Sequence, residues 1–480
     1  MTVVSDFTAL LGGASWTAVS GQTPQTNGTP VILTYSFPTE PQPSYFAQFG
    51  SVASTFLPFN ESDRAAARDA LSAWASISGL TFIEVSGNRG DIRFSWLDTN
   101  QLPDPALHAW GLGYSGYAPF YMQTGSIYPA TEEYWLTQNV FYDFGGDTFF
   151  DPHNIPSVSA FHYALLHEIG HTLGLKHPFT VGSLNDRTLA TNLDRHSNTI
   201  MSYTADIPGA PGTVLGPLDI AAAQYLYGLP SQDGTQFISW SFDAATETLH
   251  ENGTSGTDFI RGTGTHDVID AGAGNDYIYT SSGNDYVVGG PGLDTASGGT
   301  GIDTYAVGVT RSNGRITQDA FSGMTLRVPE GIEFIRDFER ILYTDALVAY
   351  DIQGNAGNAY RLYQAAFDRT PDTAGLSFWV HQLDLGVSIQ NVAQGFVNAA
   401  EFRSVYGANP TNVHIVDLMY SNVLGRAGEP AGINFWVGQL NGGLSVAALL
   451  NGFAVSSENH GIVDPVIAQG IVLDHTLFLV

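Results

Sequence analysis

The sequence predicts a multidomain α+β protein: a mixed N-terminal domain around a metal-binding helix, then an all-β parallel roll, then a mainly α-helical C-terminal domain. Three observations predict it. The stretch HEIGHTLGLKH places three of the chain's 13 histidines between His167 and His177. Aspartates recur every nine residues from Asp258 to Asp303. Near the end, a unit of 57 residues is duplicated.

Bulk properties bound the reading. A chain of 480 residues is long enough for several domains, since single cores stop growing near about 250 to 300 residues. Its 17 Lys and Arg against 46 Asp and Glu leave a net charge of −29, which repels nucleic-acid phosphates and favours cations. There is no cysteine, so disulfides and thiolate chemistry are excluded and any metal must take nitrogen and oxygen ligands. No run reaches the roughly 18 apolar residues that span a bilayer, so a soluble chain without a transmembrane segment is expected. The opening MTVVSDFTALLGG lacks a basic segment and a long apolar run, so no conventional signal peptide is expected.

Taken in order, PVILTYSF alternates like a strand, and NESDRAAARDALSAWASISGLTFIEV reads as a capped amphipathic helix running into another strand. GDIRFSWL from Gly90 is a further strand, and the Gly- and aromatic-rich stretch from Gly111 to Phe150 reads mostly as loops. Helical spacing returns over Ser159 to Leu175, and PLDIAAAQYLYG forms another helix that closes at Gly228.

Asp258, Asp267, Asp276, Asp285, Asp294 and Asp303 mark the nine-residue period. Two residues after each stand Ile260, Ile269, Ile278, Val287, Ala296 and Tyr305. This is the nonapeptide pattern of a calcium-binding parallel β-roll, in which aspartate and turn carbonyls offer the hard oxygen ligands calcium takes. Only GGPGLDTAS and GGTGIDTYA keep both leading glycines; Thr265, Ala271, Thr280 and Ser281 depart from the pattern. Residues 306 to 352 read as strands continuing the roll. Uncompensated, the stacked aspartates repel one another, so folding of this segment is expected to wait for calcium.

In the terminal duplication, Tyr363, Arg369, Gly375, Trp379, Gln382, Gly395, Phe396 and Glu401 reappear 57 residues on as Tyr420, Arg426, Gly432, Trp436, Gln439, Gly452, Phe453 and Glu458. These identities at one offset predict repeated helical hairpins. Trp379 and Trp436 at helical spacing read as core, the alternative being stacking on sugars.

On a helix, residues four apart share a face, so His167 and His171 can serve one ion. Glu168 adjoins the first ligand and can reach a coordinated water without binding the metal. Gly174 permits the sharp turn that returns His177. Three neutral imidazoles leave one zinc position open, which is the catalytic arrangement. His162 falls off the ligand face and reads as structural.

This His-Glu-x-x-His-x-x-Gly-x-x-His pattern resembles the metzincin metalloproteases, and NTIMSY supplies Met201 and Tyr203 for their methionine turn. The Met-Ser-Tyr form resembles the serralysin branch. That resemblance implies one catalytic Zn2+ on His167, His171 and His177, with Tyr203 as a further, displaceable ligand and Glu168 as general base. It implies several structural Ca2+ ions on the six aspartates and a peptide substrate paired along GDIRFSW as an edge strand. As partners it implies polypeptides, the type I secretion machinery, and a proteinaceous inhibitor or cell-surface component. The protein is then secreted and extracellular, exported without an N-terminal signal. FDRTPDTAGLSFWVHQL and LGRAGEPAGINFWVGQL resemble the domain of unknown function 4214.

The expected domains are a short propeptide or N-terminal tail at residues 1–15 and a metzincin catalytic domain at 16–240. They are followed by a β-roll at 241–355 and a helical tandem-repeat domain at 356–480 ending in a secretion signal. The alternative is a non-catalytic, calcium-dependent surface or adhesion protein with a vestigial protease domain.

Overall fold

The computed structural model describes residues 2–12, 15–16, 27–41, 50–101, 111–113, 147–182, 185–208, 210–318, 323–329 and 331–478. By packing, the chain falls into two compact units. The first comprises Met1–Gly301, Ile316–Leu326 and Glu330–Asp337; the second holds Ile302–Arg315, Arg327–Pro329 and Phe338–Val480. The architecture is α+β, with many parallel strands in the roll and a helical C-terminal region. Among the described residues, no helix is long and apolar enough to cross a membrane.

In the first unit, β1 (Thr2–Val4) precedes β2 (Val31–Ser36), β3 (Leu57–Pro58) and helix α1 (Glu61–Ile77). The side chain of Asn60 accepts from the backbone N–H of Ser62 and Asp63 while Asp63 accepts from that of Asn60, a reciprocal cap that fixes where α1 begins. Its buried residues Ala67, Ala70, Leu71 and Trp74 recur at helical spacing. Next come β4 (Leu80–Glu84), β5 (Ile92–Trp96), β6 (Gly111–Gly113), β7 (Asp147–Phe150), helix α2 (Val158–Thr172), β8 (Arg187–Leu189) and helix α3 (Pro217–Tyr227).

The sheet runs β4-β2-β5-β7-β6. Here one expectation is corrected. GDIRFSW is not an edge strand, because β5 pairs in parallel with β2 on one side and β7 on the other. Among the described residues the edge is β6, antiparallel to β7. The stretch expected to be loop from Gly111 to Phe150 therefore ends in two paired strands, while residues 114–146 of it lie outside the described residues.

Strand pairing in the roll joins residues 18 apart, as in Val268 to Tyr286 and Tyr277 to Thr295, so two nonapeptides make one coil. Ile260, Ile269, Ile278, Val287 and Ala296 fill the interior of the first unit's coils and are buried. Gly331–Arg336 then continues the coil in parallel beside Thr295–Ser297. Arg261 pairs with Asp91 at 3.2 Å and its guanidinium lies 4.4 Å from the Trp16 ring, tying the first coil to the sheet.

The second unit is a stack of eight helices between Asn355 and Ile467. Trp379 packs on Phe396 and Trp436 on Phe453, with ring centroids 4.9 and 5.6 Å apart, as the core reading expects.

Candidate metal centre

The zinc helix of the sequence reading is α2, started by Ser157, whose hydroxyl accepts from the N–H of Ala160 at 3.1 Å. It stops three residues short of the expected Leu175 because Gly174 turns left-handed, at φ +91°. That turn returns His177 to the helix. Nε2 of His177 lies 3.1 Å from Nε2 of His167 and 3.1 Å from Nε2 of His171.

Nitrogens bound at about 2.0–2.1 Å around one tetrahedral centre sit roughly 3.3 Å apart, so this donor set fits zinc. The other ring nitrogens are committed. Nδ1 of His167 lies 2.8 Å from the carbonyl of Ile200, and Nδ1 of His171 lies 2.8 Å from that of Leu175. Both rings therefore carry their proton on Nδ1 and present the Nε2 lone pair inward. Burial also holds all three imidazoles below the usual range, His177 at about 3, which keeps them neutral and able to ligate.

Glu168 is buried beside this cluster. Tyr203 stands against it, its ring centroid 4.6 Å from that of His177 and 5.6 Å from that of His167. The phenol is pushed up to about 12, first by burial and then by the charge of Glu168. Met201 is buried under α2: a Cβ on Gly170 would meet its sulfur at 2.5 Å, so the glycine inside the motif is required by the methionine beneath it. His162 points away, to the carbonyl of Thr213 at 3.2 Å, as expected.

Two supporting residues were missed from sequence. Tyr163 donates to the carbonyl of Ser202 at 2.7 Å and lies 3.3 Å from Nδ1 of His167. Asp219 is fully buried at the start of α3 and accepts from Thr199 Oγ1 (2.6 Å), Ile200 N (2.7 Å) and Gly216 N (2.7 Å). It thereby fixes the carbonyl that orients His167. The only sequence signal was its place in the first turn of a helix opened by proline.

A second group of ligand-type side chains, Asp98, Asp151 and His153, lies past the ends of β5 and β7. Asn100 Nδ2 donates to Asp151 Oδ2 at 3.1 Å, so this group braces two loops.

In the roll, the six aspartates divide into two kinds. Asp276 and Asp294 each accept on Oδ1 from the N–H of the aspartate 18 residues earlier, at 2.9 and 3.0 Å. Their Oδ2 atoms are buried with no hydrogen-bond partner. Asp285 accepts in the same way from Asp267 N at 2.8 Å. Asp303, in the second unit, is buried too, and its N–H donates to Glu339 Oε2 at 2.8 Å. Glu339 thus ends the ladder where no aspartate follows 18 residues on.

Asp258 and Asp267 are held differently. Thr254 donates to Asp258 from its N–H at 2.6 Å and its hydroxyl at 2.9 Å. Thr263 does the same to Asp267 at 2.8 and 3.0 Å. These threonines stand where later turns have Gly272, Ser281, Gly290 and Gly299, all left-handed with φ between +75° and +92°. The buried lone oxygens of Asp276 and Asp294 fit calcium, a hard cation; Asp258 and Asp267 already have protein partners on both oxygens.

Replacing Asp219 with Ala strands three donors, two of them backbone N–H groups, at about 1–3 kcal/mol each. The melting temperature should fall by several degrees and zinc affinity with it. Asp219→Asn keeps one acceptor for the two N–H groups and should be milder in both measurements.

A matrixin family profile matches residues 52–228. One for the RTX calcium-binding nonapeptide repeat matches 252–287, and one for the domain of unknown function DUF4214 matches 354–404 and 393–463. The metallopeptidase AprA of Pseudomonas marginalis is 30% identical over 251 residues, 48% of this chain and 46% of that protein. A serralysin of Proteus mirabilis is 30% identical over 248 residues, 48% of this chain and 47% of that one. Serralysin C of Dickeya chrysanthemi is 31% identical over 218 residues, covering 42% and 40%. The chain thus spans about half the length of the curated relatives it matches. Among solved structures, the extracellular lipase LipA of Serratia marcescens matches 27% of this chain and 25% of its own at 22% identity, with a TM-score of 0.20, too low to bear on the fold. The chain is therefore similar to the matrixin family over residues 52–228, to RTX calcium-binding repeats over 252–287 and to DUF4214 over 354–404 and 393–463, and these relatives, matched over about half their length, are serralysin-type metallopeptidases.

Proposed function

We propose that this protein is a secreted zinc endopeptidase whose roll binds calcium. The observation that carries the reading is the convergence of Nε2 of His167, His171 and His177 with Glu168 adjoining the first of them. His167, His171 and His177 would hold a zinc ion that would lower the pKa of a coordinated water to about 7 and polarise the scissile carbonyl. Glu168 then accepts the attacking water's proton and returns it to the leaving amine nitrogen. Tyr203, off the metal, keeps its proton at neutral pH and donates a hydrogen bond to the carbonyl oxygen as negative charge develops there. An extended peptide would add to the free edge of β6, with main-chain bonds giving affinity and side-chain pockets giving preference.

For calcium, the reading assigns Asp276, Asp285, Asp294 and Asp303 as ligands and withdraws Asp258 and Asp267, whose carboxylates the threonines occupy. A roll that needs calcium stays unfolded where the ion is scarce and folds where it is abundant. That property suits type I export of an unfolded chain to the extracellular medium.

Glu168→Ala should keep zinc and lose casein hydrolysis by at least about 100-fold, and a zinc chelator should abolish the wild-type activity. Full hydrolysis by the variant would defeat the assignment, and no wild-type hydrolysis would favour the non-catalytic surface protein.

Titration calorimetry of the full chain should show fewer calcium ions bound after Asp276→Asn or Asp294→Asn. Asp258→Asn should leave the number unchanged, and an equal loss there would refute the division of the six aspartates.

In the absence of calcium, burial raises the Asp276 carboxyl to about 6 and that of Asp294 upward from the ordinary 3.8. A carboxyl raised in the folded state contributes stability that is present below its unfolded value and lost as pH climbs through the folded one. In chelator the roll should therefore gain β-structure as pH falls from about 7 to about 5, read by circular dichroism. Calcium-loaded protein should show no such gain, because protons compete with the ion.

A further inference from the structure

The segment expected to be a propeptide or tail is built into the turn that carries the metal ligands. A helix leaves its last four carbonyls without intrahelical partners. At the end of α2 the first two of these groups are met locally: Leu175 N donates to Gly170 O and Gly174 N to His171 O, both at 2.9 Å. The next are met from outside. Trp16 Nε1 donates to Thr172 O at 2.7 Å, and Tyr227 Oη donates to Leu173 O at 2.6 Å.

The chain then pairs antiparallel with the N-terminal segment, with Leu11 opposite Leu175. Gly12 N donates to Gly174 O at 2.8 Å, and Lys176 N donates to Leu10 O at 2.7 Å. Leu175 thus lies between two pinned neighbours, and its own carbonyl, 2.8 Å from Nδ1 of His171, fixes that ligand's ring. Lys176 immediately precedes His177. The segment is itself anchored: Ala9, Leu10 and Trp16 are buried. Asn185 Nδ2 donates to Thr8 O at 2.7 Å and to Leu11 O at 2.8 Å. Contact at Gly12 is close enough that a Cβ there would meet Gly174 O at 2.6 Å.

We propose that residues 8–12 and Trp16 form a positioning strap that holds His171 and His177 in ligating geometry, so that losing the strap costs the protein its metal. The proposal rests on the zinc reading above. It reverses the propeptide expectation, under which removing this segment would raise activity.

The test compares full-length wild type with Gly12→Ala, Trp16→Phe, and a chain cut after residue 12 at an engineered protease site. Trp16→Phe keeps an aromatic ring in the site and removes the donor to Thr172 together with the larger indole face. Zinc affinity is measured by competition with a chromophoric chelator, and the melting temperature is measured without zinc. Partners that orient a metal ligand typically change affinity by about 10- to 100-fold. Zinc affinity should fall by that factor in all three, and Trp16→Phe should keep its fold with a metal-free melting temperature lowered by only a few degrees, as one stranded carbonyl implies. A cut chain that binds zinc as wild type does, or hydrolyses casein faster, overturns the strap. Loss of metal-free stability in Trp16→Phe with zinc affinity intact overturns it as well. Failure of the wild type to bind zinc would instead defeat the underlying metal reading, and the strap with it.

Discussion

The arrangement depends on one geometric constraint: a helix can bring two imidazoles to a point, and a tetrahedral ion needs a third from elsewhere. His167 and His171 come from adjacent turns of α2, and His177 can join them only if the helix ends at once and the chain reverses. Ending a helix inside a core exposes carbonyls that water cannot reach, and each unmet group there is costly. Here the needed donors come from three separate places: α2's own turn, Tyr227 at the end of α3, and the segment from Leu10 to Trp16. The tautomers of the first two ligands then follow from where two further carbonyls fall, Ile200 O and Leu175 O. Asp219 belongs to the same chain of dependence, since it holds the backbone at Ile200.

The roll solves a related problem with the opposite chemistry. Its coils bury carboxylates, and one oxygen of Asp276, Asp285 and Asp294 is used as the acceptor for the backbone of the preceding coil. In Asp276 and Asp294 the second oxygen is buried without a hydrogen-bond partner. In water it would be solvated; inside the roll it needs a cation or a donor. At Gly272 and Gly290 the turn is left-handed and that oxygen is left without a hydrogen-bond partner, whereas a threonine in the same place closes on the aspartate with two hydrogen bonds. Thr254 and Thr263 make the second choice in the first two turns. One substitution type thereby changes both the backbone conformation of the turn and the partners of its carboxylate.

Local features were legible in the sequence, and non-local ones were not. The Asn60 cap, the histidine motif, the nine-residue period and the 57-residue repeat are patterns within short windows, and all correspond to observed elements. Strand order is not a window property: β5 reads as a strand from its own residues, but its two neighbours come from residues 31–36 and 147–150. The N-terminal segment looked detachable for the same reason, as its partners lie more than 150 residues on. Asp219 and Tyr163 carried no motif, because their roles are set by which carbonyl or N–H the fold brings opposite them. In the roll the departures from glycine were visible, but their consequence required knowing which hydroxyl reaches which carboxylate.

The terminal repeats show what internal identity measures. Arg369 reaches Glu401 at 2.6 Å and Arg426 reaches Glu458 at 2.5 Å, while Tyr363 and Tyr420 meet Asp372 and Glu429 respectively. A Cβ on Gly395 would meet the Trp379 ring at 2.4 Å, and one on Gly432 would meet the hydroxyl of Tyr420 at 2.2 Å, so these glycines exist to admit aromatic neighbours. Most of the identities spaced 57 apart are therefore accounted for by packing and ion pairing within each hairpin, which makes the repeat a scaffold. Phe378 and Phe435 differ: they occupy matching places and are 47% and 56% exposed, each edge-on to its tryptophan. Packing explains the tryptophans beneath them, but a large apolar side chain kept at the surface in both copies serves no core.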